Sequence, residues 1–203
     1  MKTLSDFALA HHGIYRAFRL LTGSARVNRE FVERYVCPSE GDAVLDLGCG
    51  PGDVFELMPQ VLYVGIDMSE NYVAAARRRF GGRGRFLSGD LNSVELEQLG
   101  DFDQVIAMGV MHHLSDEEVV VMLRRIREFQ KPGGRFISYD PGFTEPQHPF
   151  ARWIHKHDRG HFVRFDRQYE HLISRVFNSY HQYIRTDMCT VPATVIIFEC
   201  SQV

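Results

Sequence analysis

The sequence predicts one doubly wound α/β domain, a mostly parallel sheet with helices on both faces. Three observations carry this reading. A short apolar run, Ala43 to Leu47, breaks into three glycines set two residues apart, Gly48, Gly50 and Gly52. Two further β-like runs close on acidic residues, Asp67 and Asp90. The segments between such runs repeat apolar residues at three- and four-residue steps, the period of a helix with one buried face. At 203 residues the length fits a single domain that buries a full core.

Taken in order, Ala43 to Leu47 is apolar apart from Asp46, as expected of a strand buried on both faces. The glycines after it let the backbone turn sharply and approach a ligand that a Cβ would push away. That place, at the carboxyl end of the first parallel strand, is where open α/β sheets bind nucleotides. A helix is expected from about Asp53 to Met58, then a strand from Leu62 to Asp67. Asp67 lies 21 positions after Asp46, well placed to accept hydrogen bonds from both hydroxyls of a ribose. Met68 beside it can lie against a purine face. Ser69 caps the next helix, which turns Tyr72, Val73, Ala76 and Phe80 inward and Arg77, Arg78 and Arg79 to solvent. A third strand runs from Arg85 to Asp90 and a fourth from about Asp103 to Gly109, followed by Val110-Met-His-His-Leu114. Ser115 to Glu118 reads as a capping box. It opens a helix with Val119, Leu123, Ile126 and Phe129 inside, which Lys131-Pro-Gly-Gly134 ends before a fifth strand from Arg135 to Asp140.

The flanks follow other patterns. Residues 1–40 read as a helical cap, with an apolar stripe over 5–22 and a second helix over 27–36. This pair packs on the domain or closes as a lid, with Tyr15, His11 or His12 meeting the ligand. Residues 41–140 form the binding core. From Pro141 to Phe165 the periodicity fails, as in a functional loop or one with its own short helix. Asp166 then caps a helix to about Phe177. Two strands follow, 180–187 and 193–200, joined too closely to be anything but antiparallel.

The net charge of −3 and a pI near 6.4 offer no general attraction for nucleic acid or an anionic membrane, so neither is expected as a partner. Four cysteines without regular spacing suit reduced thiols. With no export signal or long apolar span, the expectation is a cytoplasmic protein, monomer or homodimer. The dinucleotide fingerprint would need glycine at 53 or 55, where Asp53 and Phe55 stand, and no Lys-Ser or Lys-Thr follows the loop. A nicotinamide-dependent oxidoreductase is therefore the weaker alternative.

Leu45-Asp-Leu-Gly-Cys-Gly-Pro-Gly-Asp53 resembles motif I of the class I S-adenosylmethionine-dependent methyltransferases. The likeness continues in order through Gly65-Ile-Asp67, Ser88-Gly-Asp90, the His-His-Leu stretch and Lys131-Pro-Gly-Gly134. It implies a Rossmann-like seven-stranded sheet of order 3-2-1-4-5-7-6, with strand 7 antiparallel. It implies S-adenosylmethionine as cofactor, leaving as S-adenosylhomocysteine. The implied donor contacts are the backbone around Gly48, Cys49 and Gly50 beside the methionine part, with Asp46 and Gly52 in the same stretch, Asp67 on the ribose hydroxyls with Met68 next to it, Asp90 and Leu91 at the adenine edge, and Met108 and Gly109 near the sulfonium. A protein that holds this donor without transferring its methyl group is the non-catalytic alternative.

The acceptor is less constrained. Methyltransferases acting on base amino groups resemble one another in an Asn/Asp-Pro-Pro-aromatic motif after strand 4, where this chain has Gly109-Val-Met-His112. Magnesium-dependent catechol-type enzymes place an Asp there. What remains is a small-molecule or biosynthetic-intermediate acceptor, methylated at oxygen or carbon. An oxygen acceptor calls for a base, for which His113 is the first candidate and His148, His155, His157 and His161 are the others. His155 and His157 would share one side of a strand, but no carboxylate or cysteine completes a metal-ligand set. Arg152, Lys156, Arg159, Arg164 and Arg167 outnumber nearby acids, so Arg159 and Arg164, with Tyr15, are expected to bind the acceptor, which can then be anionic.

Overall fold

A computed structural model describes residues 24–90, 100–158 and 160–201. Its elements in chain order are α1 (Ser24–Phe31), β1 (Ala43–Leu47), β2 (Leu62–Asp67), α2 (Glu70–Phe80), β3 (Arg85–Ser88), β4 (Phe102–Met108) and α3 (Asp116–Glu128). There follow β5 (Gln130–Phe143), α4 (Pro149–Lys156), β6 (Arg164–Phe165), α5 (Asp166–Ser174), β7 (Ser179–Arg185) and β8 (Val195–Ser201). The expected helix over 5–22 lies outside the described residues.

The sheet runs β3-β2-β1-β4-β5-β8-β7, with the two-residue β6 paired to the end of β5. Setting β6 aside, this is the expected order 3-2-1-4-5-7-6. β1 pairs in parallel with both β2 and β4, and β8 is antiparallel to β5 and to β7. Side chains alternate across β1 and feed two cores. Leu45 and Leu47 join Val105, Leu123, Ile126, Phe136 and Ile173 beneath α3 and α5. Val44 joins Phe31, Val73, Phe80, Ile106 and Ile137 beneath α1 and α2. Each fully buried side chain of this size contributes about 1.5 to 3 kcal/mol, so the central strand is held from both faces.

Four expectations are corrected. The segment after the glycine loop forms only a one-turn 3-10 helix, Phe55–Leu57. Gly52, at φ 82°, and Pro59 leave no room for more, and Phe55 instead stacks on Tyr63 and meets Phe80 and Phe86 edge-on. The helix expected to reach Val36 loosens into a π turn over Val32–Val36, which Cys37 stops in a left-handed conformation, its N–H returning to Val32 O. β5 begins at Gln130, not Arg135, absorbing Lys131 to Gly134 through a register shift against β4. Finally, the region 141–165 carries the short helix that is one of its two expected forms, α4, with His148 Nδ1 accepting from Phe150 N–H and Pro149 at the first position, and this corrects the strand expected for its histidines. His155 and His157 therefore sit at the end of a helix and not on one side of a strand.

The capping box is present as read: Ser115 Oγ accepts from Glu118 N–H at 3.3 Å, and Glu118 Oε2 from Ser115 N–H at 2.8 Å. Because this cap starts α3 directly after the His-His-Leu turn, Ser115→Ala is expected to lower stability by about 1 kcal/mol. Urea denaturation reads it, and an unmoved midpoint would discard the cap as a contributor.

Candidate functional site

At the end of β1, Gly48 and Cys49 both donate their N–H groups to Ile66 O, at 2.8 and 3.1 Å, which folds the glycine loop over the end of β2. The three glycines have positive φ for different reasons. A Cβ at Gly48 would come within 2.8 Å of Val110 Cγ2, and one at Gly52 within 2.5 Å of the Phe80 ring. One at Gly50 would meet nothing within 4 Å among the described residues, at the carboxyl ends of the strands. Asp67 ties the loop down, its Oδ2 accepting from Gly50 N–H at 2.9 Å and its Oδ1 from Ser69 N–H at 2.8 Å. Each carboxylate oxygen keeps a further lone pair. Met68 is 80 % exposed beside it, and Asp90 is exposed past the end of β3. An open glycine bend, a carboxylate with acceptor capacity and an exposed thioether fit a ribonucleoside.

The side chains of two residues expected at the donor point away from the open side. Asp46 turns away from the open side: it is 2 % exposed, and its Oδ2 accepts from Tyr63 O–H at 2.5 Å. Cys49 also points inward, against Gly65, where an added Cβ would approach Sγ to 2.8 Å. Burial, then the charges of Asp46 and Asp67, push the Cys49 thiol up, away from thiolate character. Both side chains brace the loop from behind, leaving its backbone to face a ligand.

The glycine loop touches the turn after β4 through the Gly48–Val110 contact. Gly109, at φ 72°, donates to Tyr139 O at 2.6 Å, and Met111–His113 then form one 3-10 turn. His112 is buried. Its Nδ1 lies 2.8 Å from Asp140 Oδ1, and its backbone N–H donates to the same oxygen at 3.1 Å. Asp158 Oδ1 lies 3.5 Å from the other ring nitrogen. Gly160 lies so close to this ring that a Cβ would meet His112 Cδ2 at 2.1 Å, and Phe162 N–H donates to His112 O at 3.0 Å. His113 is exposed, its ring 4.0 Å from that of His112 between centroids. Burial works against a charged His112, but the hydrogen bond and charge of Asp140, with the charge of Asp158, lift it above its ordinary value. Burial against the turn and the charge of His112 take His113 below its own.

Arg164 corrects the expected anion grip. It is 4 % exposed and spends its donors inside: on Met111 O at 2.8 Å, Phe162 O at 3.0 Å, Leu114 O at 2.6 Å and Asp116 Oδ1 at 2.8 Å. It fastens the segment after α4 to the His-His-Leu turn. His161 is exposed on that same segment. His155 is buried and accepts from Thr194 N–H at 3.1 Å. Tyr15, Leu91 and Arg159 lie outside the described residues. Sequence reading missed His112, Asp140, Asp158 and Tyr63. One signal was available, since Asp140 closes the fifth strand expected from sequence, Arg135 to Asp140, as Asp67 closes the second. A concavity lined by Glu40, Gly41, Met58, Gln60 and Leu62 opens at the amino ends of β1 and β2, the opposite end of the sheet.

Asp46 makes the loop's support pH-dependent. Burial, opposed by the Tyr63 hydrogen bond and aided by the Asp67 charge, raises its pKa from 3.8 to about 7. The folded chain thus keeps a proton that the unfolded chain releases near pH 4. Asp46 is therefore expected to cost stability as pH rises toward 7, with no further change above it. Between pH 5 and 8, wild type should lose on the order of 2 kcal/mol relative to Asp46→Asn in urea denaturation. Parallel pH profiles for the two proteins would refute the buried protonated carboxyl.

Residues 44–134 match a methyltransferase domain family. Trans-aconitate 2-methyltransferase of Methylobacterium nodulans is 34 % identical over 118 residues, 55 % of this chain and 43 % of that protein. A ubiquinone biosynthesis O-methyltransferase of Thiobacillus denitrificans is 35 % identical over 102 residues, 48 % of this chain and 43 % of that protein. The chain thus spans under half the length of these curated relatives. Magnesium protoporphyrin IX methyltransferase of Synechocystis, solved with SAH bound, superposes with a TM-score of 0.67 at 21 % identity, over 89 % of this chain and 84 % of that one. A Haloferax volcanii chain solved with the Trm112 methyltransferase activator reaches a TM-score of 0.72 at 18 % identity, over 97 % of each. At these identities the structures bear out the fold. Glycine loop, strand order and sequence matches together make this chain similar to the class I S-adenosylmethionine-dependent methyltransferases, with the sequence likeness carried by residues 44–134.

Proposed function

We propose that this protein transfers the methyl group of S-adenosylmethionine to an oxygen of a small-molecule acceptor, with His113 taking the acceptor's proton. One observation carries the reading: the turn that packs on the glycine loop through Val110 also presents His113, an exposed imidazole that burial and His112 keep below its ordinary pKa. Donor and base are thus set on neighbouring pieces of backbone. Relatives whose names specify O-methylation support oxygen over carbon.

In this reading Asp67 holds the ribose hydroxyls, the backbone of Gly48 to Gly50 lies beside the methionine part, Asp90 meets the adenine edge, and Met108 and Gly109 border the sulfur. The donor supplies an already activated methyl group, so the chain's own work is to hold the acceptor in line, exclude water and receive a proton. Arg164 contributes by fixing the turn and not by gripping an anion. The four cysteines, Cys37, Cys49, Cys189 and Cys200, are all free, which supports a reducing, cytoplasmic setting.

Asp67→Ala is expected to weaken S-adenosylmethionine binding about 10- to 100-fold in calorimetry, the loss of about 1 to 3 kcal/mol; unchanged affinity removes Asp67 from the ribose, and binding of NAD in its place overturns the donor. His113→Ala should lower kcat about 10²- to 10⁴-fold with donor affinity intact, S-adenosylhomocysteine release being the readout. No release by wild type with any hydroxyl acceptor would favour the non-catalytic binder.

A further inference from the structure

We propose that His112, gripped between Asp140 and Asp158, is a positioning residue that keeps the neighbouring His113 ring in its proton-accepting form, and so fits the site to acidic hydroxyls, phenols or enols, in preference to aliphatic alcohols. This rests on His113 as the base. His112 itself is badly placed to meet an acceptor: it is 7 % exposed, Gly160 covers its ring and Asp158 faces its outer nitrogen. It is also fixed. Asp140 Oδ1 takes both its ring and its backbone N–H, so the ring cannot turn without breaking the first bond. A side chain this well held and this well covered acts through its neighbour.

Two imidazoles whose ring centroids are 4.0 Å apart resist both becoming imidazolium, because like charges at that distance repel. Which ring keeps the proton is decided by the groups around the pair. From β5, Asp140 bonds His112, and from the segment after α4, Asp158 approaches it. Arg164 of β6 opposes a charge on His112 without reversing the balance. His161 opposes a charge on His113, whereas Asp158 and Asp140 favour one, though less than burial and His112 disfavour it. His112, sharing its proton with the buried Asp140, whose own carboxyl burial also pushes up, therefore holds a charge more readily than an ordinary imidazole, and His113 less readily.

A neutral, exposed imidazole can take a hydroxyl proton as the acceptor oxygen bonds to the methyl carbon and the electron pair of the breaking C–S bond remains on sulfur. The proton then leaves from the exposed ring to solvent. Such a base matches a hydroxyl with a pKa near that of a phenol, about 10, far better than an alkanol, whose oxygen holds its proton much more tightly.

The test needs no turnover at its first stage. In protein labelled with 13C at histidine Cε1 and free of donor and acceptor, His113, assigned by its loss in His113→Gln, should titrate below free histidine and His112 above it. In His112→Gln, and in the isosteric Asp140→Asn, the His113 midpoint should move upward. A midpoint unmoved in both, or His113 titrating above His112 in wild type, overturns the proposal. Incubation with methyl-labelled donor and an equimolar mixture of phenols, enols and aliphatic alcohols should label aryl or enol ethers; label in alkyl ethers, or in neither of the former, overturns the acceptor class. Undiminished phenol methylation by His113→Ala would instead refute His113 as the base, whatever the titration shows.

Discussion

The central constraint on this molecule is that β1 lies between two parallel partners whose onward connections leave on opposite faces. The chain after β1 and β2 packs into the layer of α1 and α2, through Phe55, Val73 and Phe80. The chain after β4 packs into the other layer, through Val119, Leu123 and Ile126 of α3. Connections that part at β1 and β4 make the carboxyl ends of those strands the topological switch point, where open α/β sheets set their binding crevice. The Gly48–Val110 contact forms its floor. A side chain at Gly48 would push the two walls apart, so the loop is a packing requirement as much as a ligand cradle.

Charge inside such a floor has to be partnered. A buried guanidinium costs several kcal/mol unless its donors are met, and Arg164 meets three carbonyl oxygens and a carboxylate. Two of those carbonyls belong to Met111 and Leu114, at either end of the His-His turn, and a third to Phe162. The segment after α4 is thereby stapled to the turn. The loss of periodicity between 141 and 165 hides a rigid wall, made from polar contacts that hydrophobic patterning cannot register.

This difference explains what was legible in the sequence. The five parallel strands, the capping box at Ser115 and the terminal hairpin depend on local pattern: alternation, helical period, a short connection. The glycine bend is local too, and so is Asp67, which ties down Gly50 and Ser69 within one turn of the sheet. The misplaced residues all answer to distant partners. Asp46 looked like a ligand contact until Tyr63, on the adjacent strand, took its oxygen. Arg164 looked like a surface cation until carbonyls some 50 positions away took its donors. The short helix after the glycines is cut by Gly52 and Pro59, and Phe55 packs on the Tyr63, Phe80 and Phe86 rings instead.

Asp67 and Asp140 show how one local signal serves two ends. Asp67 ends β2 and Asp140 follows Tyr139, where the pairing of β5 with β4 ends, and each accepts backbone N–H from the turn beside it, Gly50 and Ser69 in one case, His112 in the other. Asp67 remains partly exposed because its neighbour is a glycine bend with no side chain to cover it. Asp140 is fully buried because its neighbour is a histidine, itself covered by Gly160. The glycine leaves a carboxylate open to a ligand, and the histidine turns the same carboxylate into a support for another side chain. What stands next to an acidic strand end, more than the acid itself, decides whether it binds or positions.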